Sequence, residues 1–125
     1  MKEIMAVIRM NMMNRTKDAL TKAGISAFFA SEAQGRGKGL INSALLKGAQ
    51  KGYEEAAELL GEKGRLYPKR VVSVVVPDKD VKTVVDTIMK SNKTGKPGDG
   101  KIFVLPVADS VRVRTGERGD KSIDN

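Results

Sequence analysis

The chain has 125 residues, with 23 Lys and Arg against 15 Asp and Glu for a net charge of +8, and it contains neither cysteine nor histidine. That length suits one domain over residues 1–125, and the missing residue types exclude disulfide frameworks and thiolate metal sites and make metalloenzymes and triad hydrolases poor candidates. The basic balance attracts polyanions, whether nucleotide, nucleic acid or an acidic protein face, and no apolar run approaches the ~18 residues of a membrane span, so the expectation is a soluble, cytoplasmic protein without membrane insertion.

Taken in order, Lys2 to Arg9 is a short apolar run suited to a buried strand, and Asn11 or Asn14 can cap the helix that follows. Ala19, Leu20 and Ala23 give that helix an inward stripe, and Gly24 suits its C′ position. Ile25 to Ala33 returns as a second strand. Its adjacent Phe28 and Phe29 point to opposite faces, one into the core and the other toward a partner subunit or ligand. The pattern then breaks from Gly35 to Tyr67, where Tyr53 to Leu60 can make only a couple of helical turns. Val71 to Val76 is a third strand, and Pro77 with Asp78 ends it and caps the next helix. Val81, Val84, Val85 and Ile88 fall at i, i+3, i+4 and i+7, an amphipathic helix with one face on a sheet. A strand from Lys101 to Val107 and an extended piece from Ser110 to Arg114 complete the order.

This is β-α-β-(long loop)-β-α-β, an α+β ferredoxin-like arrangement in which two helices cover one face of a four-stranded antiparallel sheet. The other sheet face is left bare, which favours oligomerisation in so small a domain.

Two stretches carry candidate chemistry. In Thr94 to Val104, TGKPGDGKIFV, three glycines permit positive φ and inward-facing N–H groups, and Lys96 and Lys101 can supply charge to phosphate oxygens. Gly95, Gly100 and Lys101 fit G-x-x-x-x-G-K, but Ile102 replaces the hydroxyl residue and a β-prone run follows, so this is a glycine loop feeding a strand and not a nucleotide P-loop. The bland alternative is a mobile surface turn that happens to hold lysines. Arg112 and Arg114 alternate with Val111 and Val113, so on an extended strand both guanidiniums face one side, suited to a triphosphate or, more simply, to a solvated strand edge.

The order TGK-x-GDGKIFV followed by Val-Arg-Val-Arg-Thr-Gly-Glu resembles the signature of the P-II nitrogen regulatory proteins, with similarity from Met1 to about Ile123 and one divergent, lengthened segment from Gly35 to Tyr67. The opening IRMNMMNRTKDAL together with GRGKG is most similar to the archaeal nitrogen-fixation branch, whose members act on nitrogenase. The resemblance implies a trimer with sheets packed inward, nucleotide sites in the clefts between subunits, a T-loop at residues 35–67, a phosphate-binding B-loop at 92–101 and a C-loop at 108–119. It implies ATP or ADP contacts from Gly98, Asp99, Gly100, Lys101, Arg112 and Arg114. It also implies that Lys69, after Pro68, pairs with a carboxylate of 2-oxoglutarate, and that the turn Gly35, Arg36, Gly37, Lys38 contacts the ligands.

The chain departs from the family in two places. Family members usually carry a glutamine in GFGRQKG that helps bind Mg²⁺ and the 2-oxo acid, whereas the sequence here is Gln34-Gly35-Arg36-Gly37-Lys38-Gly39. Gln34 can substitute from a neighbouring position, or Mg²⁺ can be bound differently. Gly48-Ala49 is followed by Gln50 and Lys51, which removes the tyrosine and the serine that relatives modify and leaves Tyr53 a remote candidate. The loop keeps a basic excess that can dock on an acidic protein face, unless it has no target at all.

The leading reading is therefore a non-catalytic sensor of ATP or ADP and 2-oxoglutarate that acts through its loop on dinitrogenase, as a homotrimer or beside a P-II paralogue. Glutamine synthetase or an ammonium transporter is the alternative target. A basic ferredoxin-like nucleic-acid module is the competing class, disfavoured because an RNA-recognition sheet needs stacking aromatics on its central strands and only three Phe and two Tyr occur. A small kinase or ATPase lacks the accompanying acidic pair.

Overall fold

The computed structural model describes residues 1–37 and 66–124. Strand β1 (Lys2–Arg9) leads through a 3₁₀ turn into α1 (Met13–Lys22), then β2 (Phe29–Gly35), β3 (Tyr67–Val76), a second 3₁₀ turn, α2 (Val81–Asn92) and β4 (Lys101–Pro106). The strands form one antiparallel sheet in the order β2-β3-β1-β4. This is the ferredoxin-like βαββαβ arrangement. The expected helical turns at Tyr53 to Leu60 lie outside the described residues, as does Lys38.

The core follows from period-two alternation. Ile4, Ala6 and Ile8 of β1 and Val72, Val74 and Val76 of β3 point to the helix side and are buried, where Leu20, Ile25, Val84 and Ile88 meet them. The valine stripe of α2 lies as its spacing predicts, with Val84 and Ile88 fully buried and Val81 and Val85 packed at the margin. In α1 the stripe is narrower than expected: Thr16 and Leu20 are buried, while Ala19 and Ala23 are only half-buried. Asn92 donates to Thr16 Oγ1 at 2.9 Å and to the Ile88 carbonyl at 2.9 Å, so a buried polar pair ties the two helices together.

Gly24 ends α1 as expected, at φ +89°. Its N–H donates to the Thr21 carbonyl and that of Ile25 to the Leu20 carbonyl at 2.9 Å, and both Leu20 and Ile25 then enter the core. The chain from Ile25 to Phe28 is consequently occupied in leaving the helix, and the second strand begins only at Phe29. Phe28 packs on the core and Phe29 is 76% exposed, so the two rings divide as their adjacency requires.

Neither asparagine caps α1, and Asp78 does not cap α2. Each helix is entered through a 3₁₀ turn that satisfies the leading donors with backbone, Met13 N–H to Met10 O and Val81 N–H to Asp78 O. The Asp78 carboxylate instead accepts from the Met1 ammonium at 2.6 Å. The piece from Ser110 to Arg114 is not a strand either. It holds one bridge, Val111 to Arg118, and turns back at residues 113–115, with Arg112 N–H donating to Glu117 O at 2.8 Å and Gly116 N–H to Arg112 O at 2.7 Å.

The sheet face away from the helices carries Met5, Val7, Val71, Val75, Phe103, Leu105 and Phe29, with Phe103 and Leu105 exposed. Alternation puts Arg9, Lys69 and Lys101 on that same face, at one end. The bare face thus carries these apolar side chains together with Ser31 and the hydrogen-bonded Ser73 and Glu3, and is cationic where β1 ends.

Candidate functional site: an anion hollow at the cationic end of the sheet

Register brings the cations together. Arg9 is the cross-strand partner of Lys69, and Val7 is paired on one side with Val71 and on the other with Lys101. Strand β2 ends beside them, with Gly35 opposite Tyr67. The result is a hollow of about 290 Å³ lined by Val7, Gly35, Arg36, Gly37, Lys69, Gly98, Gly100, Lys101 and Phe103. Two cationic walls face each other, one from the chain entering and leaving the segment 38–65, the other from the glycine loop. Phe103 and Val7 supply an apolar surface between them.

The glycine loop is shaped by more than its glycines. Gly95, Gly98 and Gly100 have φ of +83°, +96° and +116°. Asp99 closes the loop on itself: Oδ2 accepts from the N–H of Thr94 at 2.8 Å and of Gly95 at 2.9 Å, and Oδ1 accepts from the Thr94 hydroxyl. Arg9 fixes this turn to the end of β1, donating from Nη1 to Asp99 Oδ1 at 2.8 Å and from Nη2 to the Pro97 carbonyl at 3.0 Å. Asp99 therefore has its acceptors engaged inside the loop, where it holds the turn in shape, and it is not among the residues lining the hollow although Gly98 and Gly100 on either side of it are.

These bonds hold the Asp99 carboxyl well below the usual carboxylate range, chiefly through the Thr94 hydroxyl and N–H, then Arg9 and Gly95. A depressed folded-state pKa means that the stabilisation is complete above the unfolded value and is lost as pH falls through the folded one. The Thr94 and Gly95 amides are accordingly expected to stay protected from hydrogen exchange through the ordinary aspartate range, about pH 4, and to lose protection only below it, and to lose protection in Asp99→Asn at neutral pH. Rapid exchange of both amides in the unaltered protein near that pH would contradict the clamp.

Of the residues singled out in the sequence, Gly35, Arg36, Gly37, Lys69, Gly98, Gly100 and Lys101 share the hollow. Arg112 and Arg114 do not join them within one chain. Arg112 is held in the C-terminal turn by Asp124 at 2.8 Å and Glu117 at 3.8 Å. Arg114 lies in the turn at residues 113–115 and is exposed, so the expected shared strand face is absent because the backbone reverses there. Gln34 also points elsewhere, lining a separate hollow with Met10, Glu32, Pro68 and Arg70. The proposed substitution of Gln34 for the family glutamine is not supported by this placement. Sequence reasoning missed Arg9 and Thr94. For Thr94 the signal available was its spacing from Asp99 around the glycines, whereas for Arg9 alternation gave only its face of β1 and the register was needed to set it beside Lys69 and Lys101.

The donor set suits anions. Lys69, Lys101 and Arg36 with the loop's glycines match phosphate or carboxylate oxygens, whereas no carboxylate is among the described residues that line the hollow. Among the described residues no group of three or more acidic or other ligating side chains could hold a metal ion. The described residues that line the hollow do not by themselves offer a Mg²⁺ site.

A family model for nitrogen regulatory protein P-II matches residues 1–117, a span that contains both walls of this hollow. The chain belongs to the P-II family. It is 47% identical over 125 residues to the nitrogen fixation nifHD region GlnB-like protein 2 of Methanobacterium ivanovii, covering 98% of this chain and 99% of that protein. It is 39% identical over 123 residues to nitrogen regulatory protein P-II 1 of Escherichia coli, covering 98% and 100%. Among solved structures, Arabidopsis thaliana PII bound to citrate matches with a TM-score of 0.71 at 33% identity, over 97% of this chain and 90% of that one. P-II proteins are signal-transduction regulators of nitrogen metabolism, and their resemblance to this chain extends through fold as well as sequence.

Among the described residues, no helix is long and apolar enough to cross a membrane.

Proposed function

We propose that this P-II chain senses ATP or ADP together with 2-oxoglutarate, and reports the result to dinitrogenase through the segment at residues 35–67. The observation that carries the reading is the hollow itself, where both roots of that segment, Gly35–Gly37 and Lys69, meet the glycine loop and Lys101. A ligand there touches both roots at once. It therefore shifts the populations of loop shapes by whatever difference in affinity it has for them. Lys101 and the amides of the glycine loop take phosphate, and Lys69 takes a carboxylate of the 2-oxo acid. A polycarboxylate on the Arabidopsis relative agrees with an anion site of this kind.

The bare apolar face supports a trimer with sheets packed inward, either of identical chains or with a P-II paralogue. In that assembly Arg112 and Arg114 complete the phosphate site from a neighbouring copy, which accounts for their separation from the hollow within one chain. The nitrogen-fixation-region names of several methanogen relatives, among them those of Methanobacterium ivanovii, Methanothermobacter marburgensis and Methanococcus maripaludis, favour dinitrogenase over glutamine synthetase or an ammonium transporter. A nucleic-acid module is disfavoured because β1 carries no aromatic and β3 carries one only at its first position, Tyr67.

The test is capture of dinitrogenase on the immobilised protein with its likely paralogue. Capture without ligand, and a several-fold release when ATP and 2-oxoglutarate are added together, is the expected result, corresponding to a coupling of about 1 kcal/mol or more. Absence of capture, or capture indifferent to both ligands, defeats the assignment of this target.

A further inference from the structure

Arg112 is the one arginine among the described residues with a buried side-chain nitrogen that lacks a hydrogen-bond partner. Its Nη2 donates to Asp124 Oδ1 at 2.8 Å and to the Lys121 carbonyl at 3.4 Å, and its Nη1 lies 3.8 Å from Glu117. Its Nε is buried and has no hydrogen-bond partner among the described residues. The side chain is 28% exposed, so this is a partly desolvated cation with one good anionic contact and one orphaned donor. The contact is made by the last turn of the chain. Gly119–Ser122 forms a 3₁₀ turn closed by Ile123 N–H to Asp120 O at 3.2 Å, and that turn delivers Asp124 onto the guanidinium.

The other side of the hairpin is anchored independently. Arg118 donates to Asp109 at 2.8 Å, Gly119 N–H donates to Ser110 O at 3.0 Å, and Thr115 donates to Glu117 at 2.9 Å. The fold of residues 109–119 consequently does not depend on Asp124. Asp124 is 73% exposed and can swing away at little cost.

We propose that Asp124 is an internal counter-ion that occupies Arg112 until a ligand phosphate displaces it, and so sets the affinity of the nucleotide site. An aspartate held through one oxygen leaves Nε unpaired. A phosphate, with three oxygens, can pair Nε and Nη2 together in the fork geometry that a guanidinium favours. The exchange replaces one charge-assisted bond by two and satisfies the orphaned donor. The Asp124 carboxylate thereby raises the nucleotide concentration needed to fill the site. This inference rests on the reading of Arg112 as a phosphate ligand.

The experiment is calorimetric titration of ATP, with adenosine as the phosphate-free control, into the full chain and the variants Asp124→Asn, Asp124→Ala, Arg112→Ala and Asp124→Asn/Arg112→Ala, each first shown to melt normally. Loss of a competing exposed ion pair is expected to tighten ATP binding about two- to fivefold in both Asp124 variants. Adenosine affinity is expected not to change, and the gain is expected to vanish in the double variant. If Arg112→Ala weakens ATP binding while neither Asp124 variant tightens it, the counter-ion proposal fails and the nucleotide reading stands. A gain that persists without Arg112 also overturns the proposal. If Arg112→Ala leaves ATP affinity unchanged, the phosphate reading of that arginine fails and takes the counter-ion with it.

Discussion

Gly100→Ala is expected to abolish measurable nucleotide binding and to lower the melting temperature, although it adds a single methyl group. A Cβ at this position would lie 2.2 Å from the Val7 carbonyl oxygen and 3.2 Å from its carbon. Both are backbone atoms of β1, which is paired on both sides, so no rotamer change can make room. The residue also has φ of +116°, a region that costs a non-glycine residue roughly 1–3 kcal/mol. Relief requires the glycine loop to lift away from β1, which carries Gly98 and Lys101 out of the hollow.

Gly95→Ala separates the two contributions. Gly95 has φ of +83°, yet a Cβ there meets nothing within 4 Å. It therefore bears the backbone strain without the clash, and a loss of about 1–2 kcal/mol is expected, with ATP binding retained at reduced affinity. Calorimetry and thermal melts of the two variants decide the matter. Equal behaviour would mean that contact between the loop and β1 contributes nothing beyond glycine's conformational freedom.

The parts of this protein that could be read from the sequence are those set by periodicity. The alternation of β1 and β3, the valine stripe of α2 and the Gly24 stop are local patterns with one packing solution, and they lie where expected. Helix entry was misread because capping by side chain and entry through a 3₁₀ turn satisfy the same donors, and residues such as Asn11, Asn14 and Asp78 are compatible with both. The extended conformation expected for Ser110 to Arg114 was misread for a related reason. Alternation of Val and Arg predicts a strand only if a partner strand exists, and here a hairpin closed by Arg118–Asp109 and Gly119–Ser110 forms instead. At the site, the family motif located the glycine loop and Lys69, but the Arg9–Asp99 clamp joins residues 90 positions apart. Residue types and spacing along the chain do not encode that contact. Only the register of β1 against β3 and β4 reveals which end of the sheet Arg9 shares.

Lys101 and Lys69 stand on opposite walls of the same hollow, and substituting each with alanine is expected to separate the two ligands. Lys101 leaves the glycine loop as the first residue of β4, opposite Val7, where it faces whatever oxygens the loop's glycines hold. Lys69 projects from β3 beside the first root of the loop segment, opposite Arg9 and Ala33. Arg9 is already committed to Asp99 and Pro97, so it cannot simply replace a lost Lys69 charge. Removing a charge-assisted hydrogen bond typically costs roughly 1.5–3 kcal/mol, or about ten- to a hundredfold in affinity. Lys101→Ala is therefore expected to weaken ATP by that factor, and 2-oxoglutarate only as far as its binding depends on ATP. Lys69→Ala is expected to leave ATP nearly unchanged and to remove the response to 2-oxoglutarate. Calorimetric titration of ATP, followed by 2-oxoglutarate into the ATP-saturated protein, reads both effects. Loss of ATP affinity in Lys69→Ala equal to that in Lys101→Ala would show that the two lysines serve one undivided anion site, and that the 2-oxo acid, if it binds, is held elsewhere.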